Sequence, residues 1–113
     1  MFENRASQRY RTMGQAKIHG VLEGEVLLKD LSITGCCLEC TVHPEKIKPN
    51  EIYQVDIEPE TAANVEGFSL QAECRWIRHG DYSFEIGFQV TASPKGKCFQ
   101  RYVDYLAYHS SLE

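Results

Sequence analysis

The chain has 113 residues, of which 42% are hydrophobic and 25% are charged, and these values fit one folded domain with a single core. No apolar run approaches the ~18 residues of a membrane span, and the first residues lack the apolar segment of a secretory signal. We therefore expect a soluble, cytoplasmic protein without membrane insertion, and the net charge of -4 argues against DNA or RNA as a partner.

Residues 1–13 are predicted to form a flexible basic tail. The tail contains R-x-x-x-R at Arg5 and Arg9, followed by Arg11, and it shows no hydrophobic periodicity. Guanidinium groups match phosphate oxygens and the O6/N7 edge of guanine, so two arginines four residues apart can hold one small anion. An ordinary solvated tail explains the same charges.

Residues 14–110 are predicted to form one mainly β domain. Apolar and polar residues alternate along six short segments, which are typical of half-buried strands. The six segments are Ala16–Leu22, Val26–Leu31, Cys36–Val42, Tyr53–Ile57, Phe68–Trp76 and Phe84–Val90. The short turn at residues 79–81 predicts that the last two form a hairpin, with Trp76 in its buried alternation. Strands that follow one another directly favour antiparallel pairing in a closed barrel or a sandwich.

The sequence D-L-S-I-T-G at residues 30–35 joins the second and third predicted strands. On an extended chain Asp30 and Ser32 project to one side, whereas Leu31 and Ile33 face the core. A carboxylate beside a hydroxyl can accept hydrogen bonds from the N1–H and N2–H₂ groups of guanine. Gly35 permits a turn or a close backbone approach. Plain turn chemistry accounts for the same residue types.

The period changes near the C-terminus, where a helix over about residues 94–109 is predicted. Ser93-Pro94 provides an N-cap followed by proline at the first helical position. The apolar face of this helix consists of Phe99, Tyr102, Val103 and Leu106. We expect this face to cover an open edge or mouth of the barrel. Leu112-Glu113 resembles a tag scar and is left out of the functional interpretation.

The cysteines indicate buried thiols more readily than disulfides, since their number is odd and three of them are crowded together. The five are Cys36, Cys37, Cys40, Cys74 and Cys98. Cys37-x-x-Cys40-x-x-His43 has the spacing of a metal site. However, a strand directs Cys37 and Cys40 to opposite faces, and no second Cys-x-x-Cys completes the ligand set. We therefore expect no metal.

Catalysis has little support in the sequence. Asp30, Ser32 and one of the four histidines could be combined into a triad, but nothing in the sequence brings them together. No nucleophile-elbow pattern surrounds Ser32. We expect that the protein is not an enzyme.

Taken together, the two polar motifs and the strand pattern resemble the PilZ domain family. The resemblance rests on R-x-x-x-R in the leading tail and on D-x-S-x-x-G at a strand end. A strand carrying Trp76, its partner Y-S-F-E-I-G-F-Q-V at residues 82–90 and the terminal amphipathic helix extend it to nearly the whole chain. The resemblance implies a six-stranded antiparallel split barrel with a C-terminal helix. It also implies a receptor for cyclic di-GMP that needs no further cofactor.

The resemblance further implies roles for individual residues. Arg5 and Arg9 would grip guanine edges and phosphates, Asp30 and Ser32 would hydrogen-bond a guanine, and Gly35 would leave room for the base. The candidate flanking contacts are Arg11, Trp76 and Arg78, while Gly87 would be structural.

In the family, the residue before the first arginine is linked to whether one or two ligand molecules bind, and here it is Asn4. This leaves the stoichiometry open. We expect the tail to be loose without ligand, to wrap the nucleotide and to relay the signal to an unidentified downstream effector protein. The alternative is a PilZ-like protein–protein interaction module that does not bind nucleotide. A monomer or a weak dimer is expected.

Overall fold

The computed structural model describes residues 8–92 and 97–111. In these residues seven strands precede one helix, and a short 3₁₀ turn lies at Thr61–Ala63. The elements are β1 (Tyr10–Arg11), β2 (Gln15–Lys17), β3 (Val26–Leu31), β4 (Gly35–Cys40), β5 (Ile52–Glu58), β6 (Phe68–His79), β7 (Phe84–Ala92) and α1 (Cys98–Ser110). All the strand pairings in this part of the chain are antiparallel.

Six of the strands close into a barrel. The order is β3-β2-β5-β6-β7-β4, and the pairing of β4 with β3 completes the ring. The seventh strand, β1, lies on the same side of β3 as β2. It pairs with the C-terminal end of β3, whereas β2 pairs with β3 at Leu27. The predicted six-stranded antiparallel barrel with a C-terminal helix is therefore confirmed, and one further short strand is added to it.

The core follows the alternation in the sequence. Val26, Leu28 and Leu31 of β3 are almost completely buried, as are Cys36, Leu38 and Cys40 of β4. The predicted apolar face of α1 is confirmed, since all four of its members are buried. Phe99 and Tyr102 of this face pack against Phe68 of β6, with ring centroids 5.6 and 6.2 Å apart. Each fully buried side chain of this size contributes about 1.5–3 kcal/mol, so α1 is an integral part of the domain.

The predicted buried position of Trp76 is wrong. Cys74 pairs with Phe88 and Trp76 pairs with Gly87, so Arg75 and Trp76 together oppose a single residue of β7. Such a β-bulge shifts the alternation by one residue. As a result Trp76 lies on the outer surface with 36% of its area exposed.

The predicted inward position of Ile33 is also wrong, since 43% of this residue is exposed. β3 ends at Leu31, and residues 32–34 form a turn in which the alternation no longer holds. At the other end of the domain, α1 begins at Cys98 with Lys97 at the N-cap position. The predicted cap Ser93-Pro94 lies outside the described residues, as does Leu112-Glu113.

All five cysteines are free thiols, and Cys98 alone among them is not buried. Within residues 8–92 and 97–111, no group of three or more histidine, cysteine, aspartate or glutamate side chains could hold a metal ion. No helix in these ranges is long and apolar enough to cross a membrane.

Candidate functional site

We call residues 1–14 the N-terminal arm, of which residues 8–14 are described. The arm places Arg9 at the end of β3. In β1, Tyr10 pairs with Leu31 and Arg11 pairs with Asp30, which places the adjacent Arg9 beside the end of β3. The guanidinium Nη1 of Arg9 lies 2.6 Å from the carboxylate Oδ1 of Asp30. The two side chains are 46% and 23% exposed, so the pair lies at the surface. Two residues predicted from separate motifs are thus brought into direct contact.

Ser32 stabilises the turn that follows β3. Its side chain is completely buried, and its Oγ accepts hydrogen bonds from the backbone N–H groups of Thr34 and Gly35, each at 3.1 Å. The backbone N–H of Ser32 in turn donates to the carbonyl oxygen of Gly35 at 2.9 Å. The hydroxyl is therefore occupied within the turn, and the predicted contact of Ser32 with a guanine stays a prediction.

Gly35 is required by a close approach between strands. A Cβ atom at this position would overlap the carbonyl oxygen of Phe88 on β7. The same atom would lie 3.6 Å from Nη2 of Arg9. The absence of a side chain therefore lets β4 approach β7, while the arginine lies at ordinary contact distance.

Trp76 lies flat against Gly87 on the neighbouring strand. A Cβ atom at Gly87 would overlap the indole ring, so glycine is needed for the ring to lie there. The guanidinium carbon of Arg78 is 4.6 Å from the centroid of the ring, a cation–π distance. Arg78 also lies 3.5 Å from Glu85, so Trp76 and Arg78 belong to one surface cluster.

An open cleft of about 430 Å³ lies between the arm and the bulge. It is lined by Arg9, Thr34, Arg75, Trp76, Gly87 and Gln89, together with Phe88. Nη1 of Arg75 donates to Oε1 of Gln89 at 2.6 Å. Guanidinium groups therefore line the cleft from both the arm and β6, with the indole ring beside them.

The charges around the cleft leave its basic groups dominant. Glu85 contacts the ammonium group of Lys29, and this hydrogen bond raises the pKa of Lys29. Cys37 of β4 lies between Asp30 and Gly87 in the strand register. Burial raises the pKa of the Cys37 thiol to about 11. This thiol stays neutral, and the carboxylates of Asp30 and Glu85 both have cationic partners.

The structure brings together most of the residues predicted for the site, but not all. Arg9, Asp30, Gly35 and Trp76 lie at or beside the cleft. Arg11 is exposed on β1 and lines a different groove. Arg5 and Asn4 lie outside the described residues.

The PilZ domain family model matches residues 3–105. The chain belongs to the PilZ domain family. PilZ domains form a family of cyclic di-GMP receptors and act as binding and adaptor modules.

The fold of this PilZ domain is similar to that of the Bacillus subtilis inhibitor of motility, MotI/DgrA. The TM-score is 0.80 and the sequence identity is 14%, with 99% of this chain and 53% of that chain covered. The PilZ domain thus spans about half the length of that protein, and at this identity the likeness concerns the fold alone. A search of the curated proteins gives no match.

Three polar residues of the cleft were not predicted from the sequence: Arg75, Gln89 and Thr34. Arg75 and Gln89 were read as ordinary polar members of alternating strands. The signal that could have drawn attention to Arg75 is the adjacent exposed aromatic residue, but its exposure depends on the bulge. For Thr34 no signal distinguishes it from other turn residues.

Proposed function

We propose that this PilZ domain is a cyclic di-GMP receptor that holds the nucleotide between its N-terminal arginines and the cleft beside Trp76. The observation that carries this proposal is the 2.6 Å contact between Arg9 and Asp30. It joins R-x-x-x-R and D-x-S-x-x-G at the rim of a basic cleft, which is the chemistry that a ligand with two guanines and two phosphates requires.

The Arg9–Asp30 pair leaves capacity for a ligand. A carboxylate offers about four lone-pair sites, and an arginine offers five N–H donors in a planar fork. Asp30 can therefore accept from guanine N1–H and N2–H₂ while it still contacts Arg9. The other donors of Arg9, and those of Arg5 from the preceding part of the arm, would then reach phosphate oxygens or the guanine O6/N7 edge.

Arg75 and Trp76 provide a second set of contacts on the barrel. The guanidinium of Arg75 is exposed at the cleft and has one neutral partner, Gln89. Exchanging this hydrogen bond for a phosphate oxygen replaces a neutral acceptor with a charged one, and such bonds are roughly twice as strong. The exposed part of the indole ring offers an apolar contact for a base.

The expected contact energies and ordering costs favour a moderate affinity for cyclic di-GMP. Each bidentate arginine–guanine pair contributes about 1–3 kcal/mol, whereas ordering the arm costs about 1–2 kcal/mol for each residue that is fixed. Several contacts must therefore form together, which gives a Kd in the region of micromolar, or about -8 kcal/mol. The signal would pass to a downstream partner protein through the ordering of the arm.

Calorimetric titration with cyclic di-GMP tests this function, with GTP and cyclic di-AMP as controls. We expect saturable heat with cyclic di-GMP and a much weaker response to the other two nucleotides. The stoichiometry will show whether one or two molecules bind. Absence of heat and of any thermal shift at high nucleotide concentration would instead identify an interaction module that does not bind nucleotide.

A further inference from the structure

An exposed apolar groove runs along the outer surface of β3, beside the candidate nucleotide cleft. We call it the β3 groove and define it by Arg11, Met13, Glu25, Leu27, Glu39 and Tyr82. It consists of two hollows of about 280 and 290 Å³, and both are lined by Leu27 and Glu39. The two hollows are therefore adjacent, with Leu27 and Glu39 between them.

The groove exposes three large apolar side chains. Met13 is 81% exposed, Leu27 is 50% exposed and Tyr82 is 92% exposed. Single exposed apolar residues are ordinary, but a contiguous group beside a groove marks a surface that binds another molecule. None of the three has a role in the barrel core or in the candidate nucleotide cleft.

The two ends of the groove carry opposite charges. Arg11 lies at the arm end, and the neighbouring Lys29 is already paired with Glu85. Glu25 lies at the hairpin end beside Tyr82, whereas Glu39 lines both hollows and lies near the middle of the groove. Among the described residues, neither Arg11 nor Glu25 forms a side-chain hydrogen bond or ion pair.

The strand register places these ends on either side of Leu27. Arg11 pairs with Asp30, three residues beyond Leu27 on β3, whereas Glu25 precedes Leu27 by two residues. A two-fold axis that crosses the groove at Leu27 therefore exchanges the basic end with the acidic end. The groove is complementary to itself, as an isologous interface must be.

We propose that the β3 groove binds a second copy of this chain in a symmetric dimer. The Arg11 side chain of each copy enters the acidic end of the other, where Glu25 supplies the opposite charge and Tyr82 supplies a ring face for the guanidinium. Leu27 packs against its own symmetry mate on the axis, and Met13 is covered at the same time. The groove is small, so the dimer is weak and reversible.

A second copy explains the groove better than a basic peptide would. A peptide with lysine or arginine would complement Glu25 and Glu39 but would leave Arg11 facing a like charge. The second copy satisfies both ends with the same residues.

Sedimentation velocity without nucleotide tests the dimer. We expect the weight-average sedimentation coefficient to rise reversibly as the concentration increases from micromolar towards millimolar, and to rise less at high salt. Leu27→Asp should remain monomeric because it places two like charges on the axis. Ile52→Asp is the matched control, since Ile52 is 57% exposed on β5, outside the groove, and should leave the dimer unchanged.

A charge exchange provides the sharper test. Arg11→Glu and Glu25→Arg should each weaken dimerisation by roughly tenfold, because each places like charges together. The double variant Arg11→Glu/Glu25→Arg should restore it, since the opposite charges again face one another. A native chain that stays monomeric throughout would overturn the proposal, as would a double variant no better than the single ones. Because no nucleotide is present, the result is independent of the proposed receptor function.

Discussion

The two halves of the N-terminal arm are held by very different contacts. The leading half, which ends at Arg9, contacts the barrel surface through the Arg9–Asp30 pair, in which both side chains are partly exposed. The trailing half is fixed to the barrel. The backbone N–H of Thr12 donates to the carbonyl of Lys29 at 3.2 Å, and Leu28 donates to the carbonyl of Gly14 at 3.1 Å.

The trailing half also fits closely beneath the C-terminal helix. Gly14 is buried, and a Cβ atom there would lie 2.8 Å from the hydroxyl of Tyr102 and 2.9 Å from the carbonyl oxygen of Glu58. Desolvation and a hydrogen bond to Glu60 raise the pKa of Tyr102, so its hydroxyl remains a neutral donor. Residues that stabilise the domain are thus separated by only a few positions from Arg9, which we propose contacts the nucleotide.

Gly14→Val gives the largest expected effect and tests the trailing half. The added side chain meets a backbone oxygen that cannot move without shifting β5, and overpacking of this kind costs about 1–3 kcal/mol. We expect the free energy of unfolding, measured with urea, to fall by roughly 3 kcal/mol, at the upper end of that range. A loss below ~0.5 kcal/mol, the size of an ordinary surface substitution, would show that the arm is not packed tightly under α1.

Arg9→Ala tests the leading half and should leave stability almost unchanged. An exposed ion pair contributes about 0–1 kcal/mol to folding. By contrast, the affinity for cyclic di-GMP should fall at least tenfold, equivalent to about 1.4 kcal/mol. Calorimetry and urea unfolding of the same preparation measure the two effects together.

The matched control for Arg9→Ala is Arg101→Ala. Arg101 is exposed on α1 and lines a separate pocket, so its removal deletes the same charge far from the cleft. We expect native affinity in this variant. Equal affinity in both variants would exclude Arg9 from the binding site, and equal weakening would indicate a general effect of net charge.

The sequence predicts the barrel well because its evidence is local. Alternation along the strands and the apolar face of α1 need no knowledge of neighbouring segments, and both are confirmed except at Trp76. The position of Trp76 could not be predicted in this way, since the bulge depends on its register with Gly87 on another strand. The hydrogen bonds that the Ser32 hydroxyl accepts within the turn could not be predicted either, because they depend on where β3 ends and on which backbone amides follow it.

The same distinction between local patterns and contacts with other strands applies to the candidate site. The family resemblance assigned Arg9 and Asp30 to one ligand, but their direct contact was not predicted, because 21 positions separate the two residues. Arg75 was missed altogether. The candidate site residues meet through strand pairing, and a single sequence does not record which strands pair.

Acid should weaken the attachment of the trailing half at β2, which continues directly from Gly14. Asp56 of β5 pairs with Lys17 of β2 in the register and accepts a hydrogen bond from Ser69 at 2.6 Å. Desolvation alone would raise the pKa of Asp56, but the hydrogen bonds from Ser69 and Gln54 and the nearby charges of His19 and Lys17 lower it below 3.8 overall.

A folded-state pKa below the unfolded value means that Asp56 stabilises the fold above the unfolded pKa. This contribution is lost as the pH falls through the lowered pKa. We therefore expect the free energy of unfolding of the native chain to decrease on acidification more than that of Asp56→Asn, which has no charge to lose there. Urea titrations at neutral pH and at several values below pH ~4 measure the difference. If both proteins lose stability in parallel, other carboxylates cause the acid sensitivity and β2 is held by its backbone pairing and its buried Ala16.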